Sequence, residues 1–512
     1  MTRRTIAGLA ALAVLVSGCG VASRAQDAGG PGDAGTGGGS TPKGPAGPIP
    51  AGLEKFYRQQ PSWERCGSGN QCATITVPLD YSNPSGQTIE LRARKVPARS
   101  RTGKIGTLFI NPGGPGASGQ DLAATAGFSL GAPLLRKFDV IGWDPRGVGD
   151  STPVRCLDTE QMDKFIATDG SPDNDAEINE LNNEAKILAN GCEQRSGDLL
   201  AHISTKDAAR DIDVLRGIVG DSELYYLGYS YGTLLGATYA ELFPKNVGRL
   251  VLDGAIDPSK SSEDSGIAQA KGFDTALDAF AADCAQRNCR LGGTKAEVLA
   301  KVDQLINDTD AKPLPGNGDR EVTQAIAVLG VLFPLYVKGL WPRLEDAVVD
   351  GLDGKGARLL ALADQFNHRT PRGYSSNENE AFYAVNCVDR PDLSSVAQGK
   401  AEEAKYKAAS PRFGSYMLWG SLVCANWPVK PTDKPHPIKA AGSKPIVVVG
   451  TTRDPATPYE EAVGLAGQLE NGVLITRDGD GHTGYHEGNK CVDSAVETYL
   501  LKGTPPLGDI KC

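Results

Sequence analysis

The sequence lacks the features that nucleic-acid-binding and membrane-spanning proteins need. Lysine and arginine total 53 against 62 aspartates and glutamates, which gives the 512-residue chain a formal net charge of −9. Because phosphate binding needs clustered positive charge, this balance argues against a nucleic-acid partner. No segment has the roughly 18 consecutive apolar residues of a spanning helix. The chain is 40% apolar, and this composition predicts a globular protein with a large core.

Motifs for metals and nucleotides are also missing. The chain has only 5 histidines, and no two of its 11 cysteines show Cys-x-x-Cys spacing. This scarcity argues against a zinc site. The glycine-rich segment at residues 113–116 matches neither G-x-x-x-x-G-K-[ST] nor G-x-G-x-x-G, so a phosphate-binding loop is not indicated. We therefore expect no metal and no organic cofactor.

The first eighteen residues have the pattern of a secretory signal peptide. Arg3 and Arg4 precede a mostly apolar run that ends in Val-Ser-Gly-Cys at residues 16–19, and the run is too short to span a bilayer. The last four residues resemble a bacterial lipobox, which implies cleavage before Cys19 and a diacylglyceryl group on its thiol. The alternative is an ordinary signal peptide with an incidental cysteine. The resemblance predicts an exported protein on the outer face of the cell membrane, either retained by its lipid or shed from its tether.

Residues 19–52 read as a tether between this anchor and the folded part. Residues 19–50 include 10 glycines and 5 prolines, a composition typical of flexible linkers. With Cys19 assigned to lipid, an even number of cysteines remains, which favours disulfides in an exported chain. Connectivity does not follow from sequence, but the simplest arrangement joins neighbours: Cys66–Cys72, Cys156–Cys192, Cys284–Cys289, Cys387–Cys424 and Cys491–Cys512.

From Leu53 onward, short apolar strands alternate with helical segments. The predicted strands are Ala73–Pro78, Thr88–Lys95, Gly106–Asn111, Phe138–Trp143, Leu224–Leu227, Leu250–Asp253, Ile446–Val449 and Val473–Thr476. This alternation predicts an α/β fold with a mostly parallel sheet covered by helices on both faces. Residues 258–444 are mainly helical and read as a cap inserted late in the core, between core parts 53–257 and 445–512. An independent second domain is the alternative.

A candidate nucleophile lies where a strand meets a helix. Gly-Tyr-Ser-Tyr-Gly at residues 228–232 fits G-x-S-x-G and directly follows the strand Leu224–Leu227. This context is the one that a nucleophile elbow requires. Ser230 needs a strained backbone there, so its turn favours residues without a Cβ. The helix that follows aims its first N–H groups at a developing oxyanion.

The oxyanion hole is expected to use two backbone N–H groups. One is that of Tyr231, and the second should come from the loop after an earlier strand. The glycine-rich loop after the strand Gly106–Asn111 lies at that point of the chain. We assign Gly114 as the second donor, with Gly113 as its nearest rival.

The chain order Ser…Asp…His selects the base and the acid. His482 and His486 both follow the last strand, and we choose His482 because a glycine-rich loop carries it. A zinc site made by these two histidines is the competing interpretation, but the glutamate of H-E-x-x-H is missing. His202, His368 and His436 lie elsewhere in the chain.

The predicted acid is Asp454, in the loop after the strand Ile446–Val449. Its role would be to fix the tautomer of His482 and to stabilise the imidazolium. Asp253 and Asp257, which follow the preceding strand, are the alternatives.

Five motifs together resemble one branch of the α/β-hydrolases. They are Asn-Pro-Gly-Gly-Pro-Gly at 111–116, Trp-Asp-Pro-Arg-Gly-Val-Gly-Asp-Ser at 143–151, Gly-Tyr-Ser-Tyr-Gly at 228–232, Arg-Asp-Pro-Ala-Thr-Pro at 453–458 and Gly-His-Thr at 481–483. The branch is that of the secreted tripeptidyl aminopeptidases, related to proline iminopeptidases and including actinobacterial envelope serine proteases. The resemblance covers roughly residues 53–512. It implies a serine peptidase that cleaves near the free N-terminus of peptides, with a cap that excludes longer chains.

An aminopeptidase needs a carboxylate to hold the substrate ammonium. Glu378, Glu380 and Asp389 in the predicted cap are candidates, and the alternative is that they are solvated surface charges. Two other functions fit the sequence: a carboxylesterase or lipase with the same triad, and a non-catalytic binding lipoprotein. The expected partners are a peptide or protein substrate and a membrane surface, and we expect a monomer.

Overall fold

A computed structural model describes residues 49–100, 102–431 and 433–512. The predicted signal peptide, Cys19 and nearly all of the predicted tether lie outside the described residues. Every described residue belongs to one compact unit, Gly44–Cys512. Among the described residues, no helix combines the length and the apolar character needed to cross a bilayer.

Strands and helices alternate along the first half and again at the end. The strands are β1 Glu64–Arg65, β2 Gln71–Pro78, β3 Thr88–Val96, β4 Gly106–Asn111, β5 Phe138–Trp143, β6 Leu224–Tyr229, β7 Val247–Asp253, β8 Leu314–Pro315, β9 Glu321–Val322, β10 Arg369–Thr370, β11 Gly373–Tyr374, β12 Ile446–Arg453, β13 Gly472–Asp480 and β14 Ile510–Lys511. The α-helices are α1 Glu54–Tyr57, α2 Gly119–Ala124, α3 Ala126–Ser129, α4 Ala132–Lys137, α5 Thr159–Ala167, α6 Asp175–Ser196, α7 Thr205–Val219, α8 Tyr231–Leu242, α9 Ser262–Gln286, α10 Lys295–Ala311, α11 Gln324–Leu335, α12 Trp341–Leu352, α13 Ala357–Phe366, α14 Glu378–Asp389, α15 Val396–Ala409, α16 Gly414–Gly420, α17 Leu422–Ala425, α18 Tyr459–Gln468 and α19 Lys490–Lys502.

The main sheet confirms the predicted α/β architecture. Its strand order is β1-β2-β3-β5-β4-β6-β7-β12-β13-β14. The pairs β1–β2, β2–β3 and β3–β5 are antiparallel, and every other pair in this sheet is parallel. The segment Val473–Thr476 lies in β13, which is not the last strand of the sheet as the sequence predicted. β14, too short for a sequence pattern to show, adds a last parallel strand against Ile475 and Thr476.

The sheet is covered on both faces. All six residues of β4 are buried, and its central apolar residues alternate between two apolar clusters, as strand geometry requires. Phe109 belongs to the cluster that includes residues of α1, α7, α8 and α18. Leu108 and Ile110 belong to the cluster formed with α2, α4 and α19. The carboxyl ends of the parallel strands therefore form one edge between these helical layers.

The interval between β7 and β12 is helical apart from two short hairpins, β8–β9 and β10–β11. Helices α9–α13 enclose an apolar cluster of their own, which includes Phe280 and Leu344. Helix α14 instead contributes Ala384 and Val385 to the cluster on the sheet. Helix α6, which lies in the predicted first core part, contributes Leu181 to a cluster with α15–α17. The helical interval therefore packs directly on the core at α14 and α6.

A buried arginine anchors the loop after β5. Both carboxylate oxygens of Asp211 accept hydrogen bonds from Arg146, at 2.7 and 2.8 Å, and both side chains are fully buried. Asn377, immediately before α14, donates to the carbonyl of Gly147 at 2.9 Å and accepts from the N–H of Gly149 at 2.8 Å. The motif at residues 143–151 therefore fixes the start of α14 against the core.

Five disulfides are formed in the structure. They join the neighbouring cysteines Cys66–Cys72, Cys156–Cys192, Cys284–Cys289, Cys387–Cys424 and Cys491–Cys512. These are the five pairs of the simplest arrangement.

Candidate active site

Ser230 lies on a sharp turn between β6 and α8. Its backbone is strained, with φ 55° and ψ −125°. The flanking glycines permit the turn, because a Cβ on Gly228 would lie 2.4 Å from the carbonyl oxygen of Gly232. A Cβ on Gly232 would lie 2.7 Å from Oδ1 of Asn111. The geometry is that of a nucleophile elbow.

The loop after β4 lies against this elbow. Gly113 has a φ of 98°, and a Cβ on it would lie 2.9 Å from Cβ of Ser230 and 3.0 Å from the backbone nitrogen of Tyr231. The N–H of Gly113 donates to Oδ1 of Asn111 at 3.0 Å. The N–H groups of Gly114 and Tyr231 have no hydrogen-bond partner among the described residues. This arrangement leaves the two predicted donors available to an oxyanion, with Gly113 already occupied.

Asp454 and His482 form a buried pair. Nδ1 of His482 lies 2.8 Å from Oδ1 and 2.9 Å from Oδ2 of Asp454, whose side chain is fully buried. Burial of the imidazole acts to lower its pKa, but the adjacent Asp454 carboxylate outweighs burial and raises the pKa of His482 above its usual value. With Nδ1 held by the carboxylate, Nε2 is the nitrogen that can accept a proton.

The turn after β12 fixes the Asp454 carboxylate. Oδ1 accepts the N–H groups of Ala456 and Thr457, each at 2.9 Å, and Oδ2 accepts the N–H of Thr483 at 3.1 Å. The hydroxyl of Thr457 donates to Oδ2 at 3.2 Å and lies 3.5 Å from Nδ1 of His482. Thr457 was not singled out from the sequence, although it belongs to the Arg-Asp-Pro-Ala-Thr-Pro motif.

The cap helices supply a second residue that sequence reasoning missed. The carbonyl oxygen of Tyr336, at the end of α11, accepts the N–H of His482 at 2.8 Å. Its ring meets the imidazole edge-on, with 5.4 Å between centroids. No motif marks Tyr336, because its role arises only from the packing of the end of α11 against the loop after β13.

Strand β7 lies between the strands that carry the elbow and the acid turn, and the residues at its end lie next to Ser230 and His482. Gly254 follows the last residue of β7, and a Cβ on it would lie 3.1 Å from Cε1 of His482. The carbonyl oxygen of Asp253 accepts the N–H of Ser230 at 2.9 Å. No hydrogen bond joins the Ser230 hydroxyl to His482 within the described structure, and such bonds often form only when substrate binds.

The rival acids and bases have other partners. Asp257 accepts from Ser259 and Gln468. The imidazoles of His368 and His436 lie 2.9 Å from Glu378 and Glu241, respectively. The backbone N–H of His486 donates to Asp493 at 2.7 Å. His202 lies just before the N-terminus of α7 and takes no part in the contact between Asp454 and His482.

Two of the three cap carboxylates serve internal contacts. Glu380 accepts the N–H groups of Cys156 and Leu157 at 2.6 and 3.0 Å. Asp389 accepts the N–H and hydroxyl of Thr205 at 2.7 and 2.5 Å. Glu380 is buried and Asp389 is half-buried, and both carboxylates accept these hydrogen bonds, so neither is the solvated surface charge of the alternative interpretation.

Glu378 differs from these two acids. Its backbone lies against the oxyanion loop, because a Cβ on Gly116 would lie 2.8 Å from the Glu378 carbonyl oxygen. Its carboxylate pairs with Nε2 of His368 at 2.9 Å, and 27% of its side chain is exposed. Glu378 therefore combines a backbone contact with the oxyanion loop and a partly exposed carboxylate.

The elbow, the glycine loop and the buried acid–histidine pair define a serine hydrolase of the α/β class. Comparison with known proteins narrows this class. Residues 106–310 match the family described as "alpha/beta hydrolase fold", and residues 410–512 match "TAP-like protein".

Curated relatives align over most of the chain. Serine protease Hip1 of Mycobacterium tuberculosis is 37% identical over 480 residues, covering 89% of this chain and 91% of the relative. Carboxylesterase B of the same species is 38% identical, covering 86% of each chain. Tripeptidyl aminopeptidase of Streptomyces lividans is 33% identical, covering 88% of this chain and 86% of the relative. The chain belongs to the TAP-like family of α/β-hydrolases and is a serine peptidase.

Proposed function

We propose that this protein is an exported serine exopeptidase that releases short peptides from the free N-terminus of its substrates. Ser230 Oγ attacks the scissile carbonyl and passes its proton to Nε2 of His482. The N–H groups of Tyr231 and Gly114 bind the oxyanion. The imidazolium then protonates the leaving amine, and water hydrolyses the acyl-enzyme by the same base.

The observation that carries this proposal is the pairing of a strained elbow with a buried acid–histidine pair at one sheet edge. Ser230 has a φ of 55°, and the contact between Asp454 and Nδ1 of His482 measures 2.8 Å. Strain at a polar residue persists only where the surrounding structure enforces it, and it concentrates at functional sites.

Labelling with a fluorophosphonate probe tests the nucleophile. The wild-type protein should react covalently, Ser230→Ala should not, and Ser265→Ala, which changes another half-buried serine, should react as the wild type does. Mass spectrometry should place the adduct on Ser230. A wild-type protein that is folded and unlabelled would refute the proposal.

We further propose that Glu378 binds the substrate ammonium. Three points support it: the carboxylate is accessible, it begins the helix that rests on Gly116, and Asn377 ties that helix to the core. A carboxylate at a fixed distance from the oxyanion loop would limit how many residues fit between the ammonium and the scissile bond. The pairing with His368 leaves room for a second charged hydrogen bond.

The test compares substrates with and without a free amine. Glu378→Gln should raise KM at least tenfold for a tripeptide p-nitroanilide and leave hydrolysis of a small p-nitrophenyl ester unchanged. Glu321→Gln, which changes an exposed acid of the cap region, is the matched control. Equal effects of Glu378→Gln on the peptide, its N-acetylated form and the ester would exclude this role.

Ester hydrolysis is a second candidate activity of the same site, because one relative is named carboxylesterase B. The same triad would hydrolyse esters, so substrate preference decides between the two. Comparison of kcat/KM for peptide p-nitroanilides and p-nitrophenyl acyl esters separates them. A preference for long-chain esters over every peptide would favour the esterase.

The lipobox resemblance supports a lipid anchor on Cys19 and a location on the outer face of the cell membrane. We propose that the protein acts there as a monomer, retained by its lipid or shed from its tether. Cys19→Ala should move the protein from the membrane fraction to the soluble fraction. Membrane association that survives this change would contradict the anchor.

A further inference from the structure

Asp253 occupies the centre of the sheet edge that carries the site. It ends β7, which lies between β6 with the nucleophile elbow and β12 with the acid turn. The residue is completely buried. Its carbonyl oxygen accepts the N–H of Ser230 at 2.9 Å, so the backbone of Asp253 already holds one side of the elbow.

The Asp253 carboxylate reaches the opposite side of the site. Oδ1 accepts the N–H of Gly484 and Oδ2 that of Tyr485, each at 2.8 Å. The preceding N–H, that of Thr483, donates to Asp454. Three consecutive N–H groups after His482 are therefore held by two carboxylates from neighbouring strand ends.

We infer that Asp253 is a positioning residue that holds the nucleophile and the base in register, through its carbonyl to Ser230 and its carboxylate to the loop after His482. The inference rests on the proposed serine-hydrolase chemistry. Asp253 makes no contact with the reacting atoms, so its effect acts through the other two residues. A displacement of about 1 Å at such a site costs on the order of 10²-fold in rate.

Ionisation of Asp253 connects this role to pH. Burial raises the pKa of Asp253 to about 7, against the two N–H bonds that lower it. The titratable groups around it are Tyr229 from β6, Asp454 from the turn after β12, and His482 and Tyr485 from the loop after β13. A protonated carboxyl has one acceptor fewer for the loop, so correct positioning requires the ionised form.

The wild-type protein gives the first test. Full activity requires His482 neutral and Asp253 ionised, so two protonations should reduce activity on the acid side. A plot of log kcat/KM against pH should therefore contain an acid-side segment with a slope greater than one. A slope of one throughout would overturn the inference without any variant.

Asp253→Asn is the second test. Its amide can accept only one of the two N–H groups, so kcat for a tripeptide p-nitroanilide should fall about 10²-fold with KM changed less than threefold. The negative charge that raises the pKa of His482 is also lost, so the acid limb should move to lower pH and its slope should become one. Asp257→Asn, a buried acid that follows the same strand and contacts Ser259 and Gln468, should change neither quantity.

The outcomes separate this inference from the proposed function. Absence of fluorophosphonate labelling in the wild type would refute the serine chemistry itself. Wild-type labelling together with an unchanged kcat and pH profile in folded Asp253→Asn would refute only the positioning role. If Asp253→Asn fails to fold, the wild-type slope decides.

Discussion

Replacement of Asp454 by asparagine should disable the enzyme while leaving the fold intact. The carboxylate accepts hydrogen bonds from Nδ1 of His482 and from the N–H groups of Ala456, Thr457 and Thr483. Asparagine has the same shape, but it offers one acceptor oxygen and one donor NH₂. Since Oδ1 serves two N–H groups, the amide oxygen should take that position, and the NH₂ should face His482.

An NH₂ group facing Nδ1 makes this nitrogen an acceptor and moves the imidazole proton to Nε2. In that tautomer His482 cannot accept the proton of Ser230. The same exchange in other Ser-His-Asp enzymes lowers kcat about 10⁴-fold. At about 1.36 kcal/mol for each factor of ten, the expected loss of transition-state stabilisation is about 5.4 kcal/mol.

The assay is kcat on a tripeptide p-nitroanilide, with folding followed by thermal unfolding. Asp257→Asn serves as the control, because this acid of the neighbouring loop has no contact with His482. A loss of less than tenfold in a folded Asp454→Asn protein would refute the assignment of the acid. In that case Asp253 would be the next acid to examine.

Three further predictions follow from the same geometry. Because the pKa of His482 is raised and the base must be neutral, kcat/KM should fall as the pH drops through a midpoint above about 6.5, the ordinary histidine value; a midpoint below that value in a pH–rate profile would contradict it. Gly113→Ala should reduce kcat at least 10²-fold, since its Cβ would lie 2.9 Å from Cβ of Ser230. The measurement is kcat of a variant shown to be folded, and a loss under threefold would contradict the prediction. Arg146→Met leaves the buried Asp211 carboxylate without its cationic partner and should lower the free energy of unfolding by about 3–5 kcal/mol. Urea unfolding measures this, and a change below about 1 kcal/mol would disprove it.

The strand ends of the site could be predicted from the sequence because each carries a local signal. The elbow needs glycines at fixed positions, and the two relevant glycines, Gly228 and Gly232, face backbone or side-chain atoms closer than 3 Å from any added Cβ. Parallel strands also bring their carboxyl ends to one edge. These rules connect residues far apart in the chain, so the sequence predicts that Ser230 and His482 lie at the same edge of the sheet.

Cap residues carry no comparable signal. Tyr336 contacts His482 because α11 ends above the sheet edge, and the packing of one helical layer on another is not encoded in a local motif. The same reason explains why three cap acids were equivalent in the sequence. Backbone donors separate Glu380 and Asp389 from Glu378, and these donors come from distant parts of the chain.

The choice between Asp253 and Asp454 depends on strand length. The sequence predicts that β12 ends at Val449, but the strand continues to Arg453, which pairs with Asp480 of β13. Val449 is level with Asp253 in the sheet. The four additional residues therefore carry Asp454 beyond the end of β7, to the height of the His482 imidazole. Asp253 stays at the lower level, where its carboxylate meets the backbone of the same loop, so the extension of one strand assigns two similar acids to different tasks.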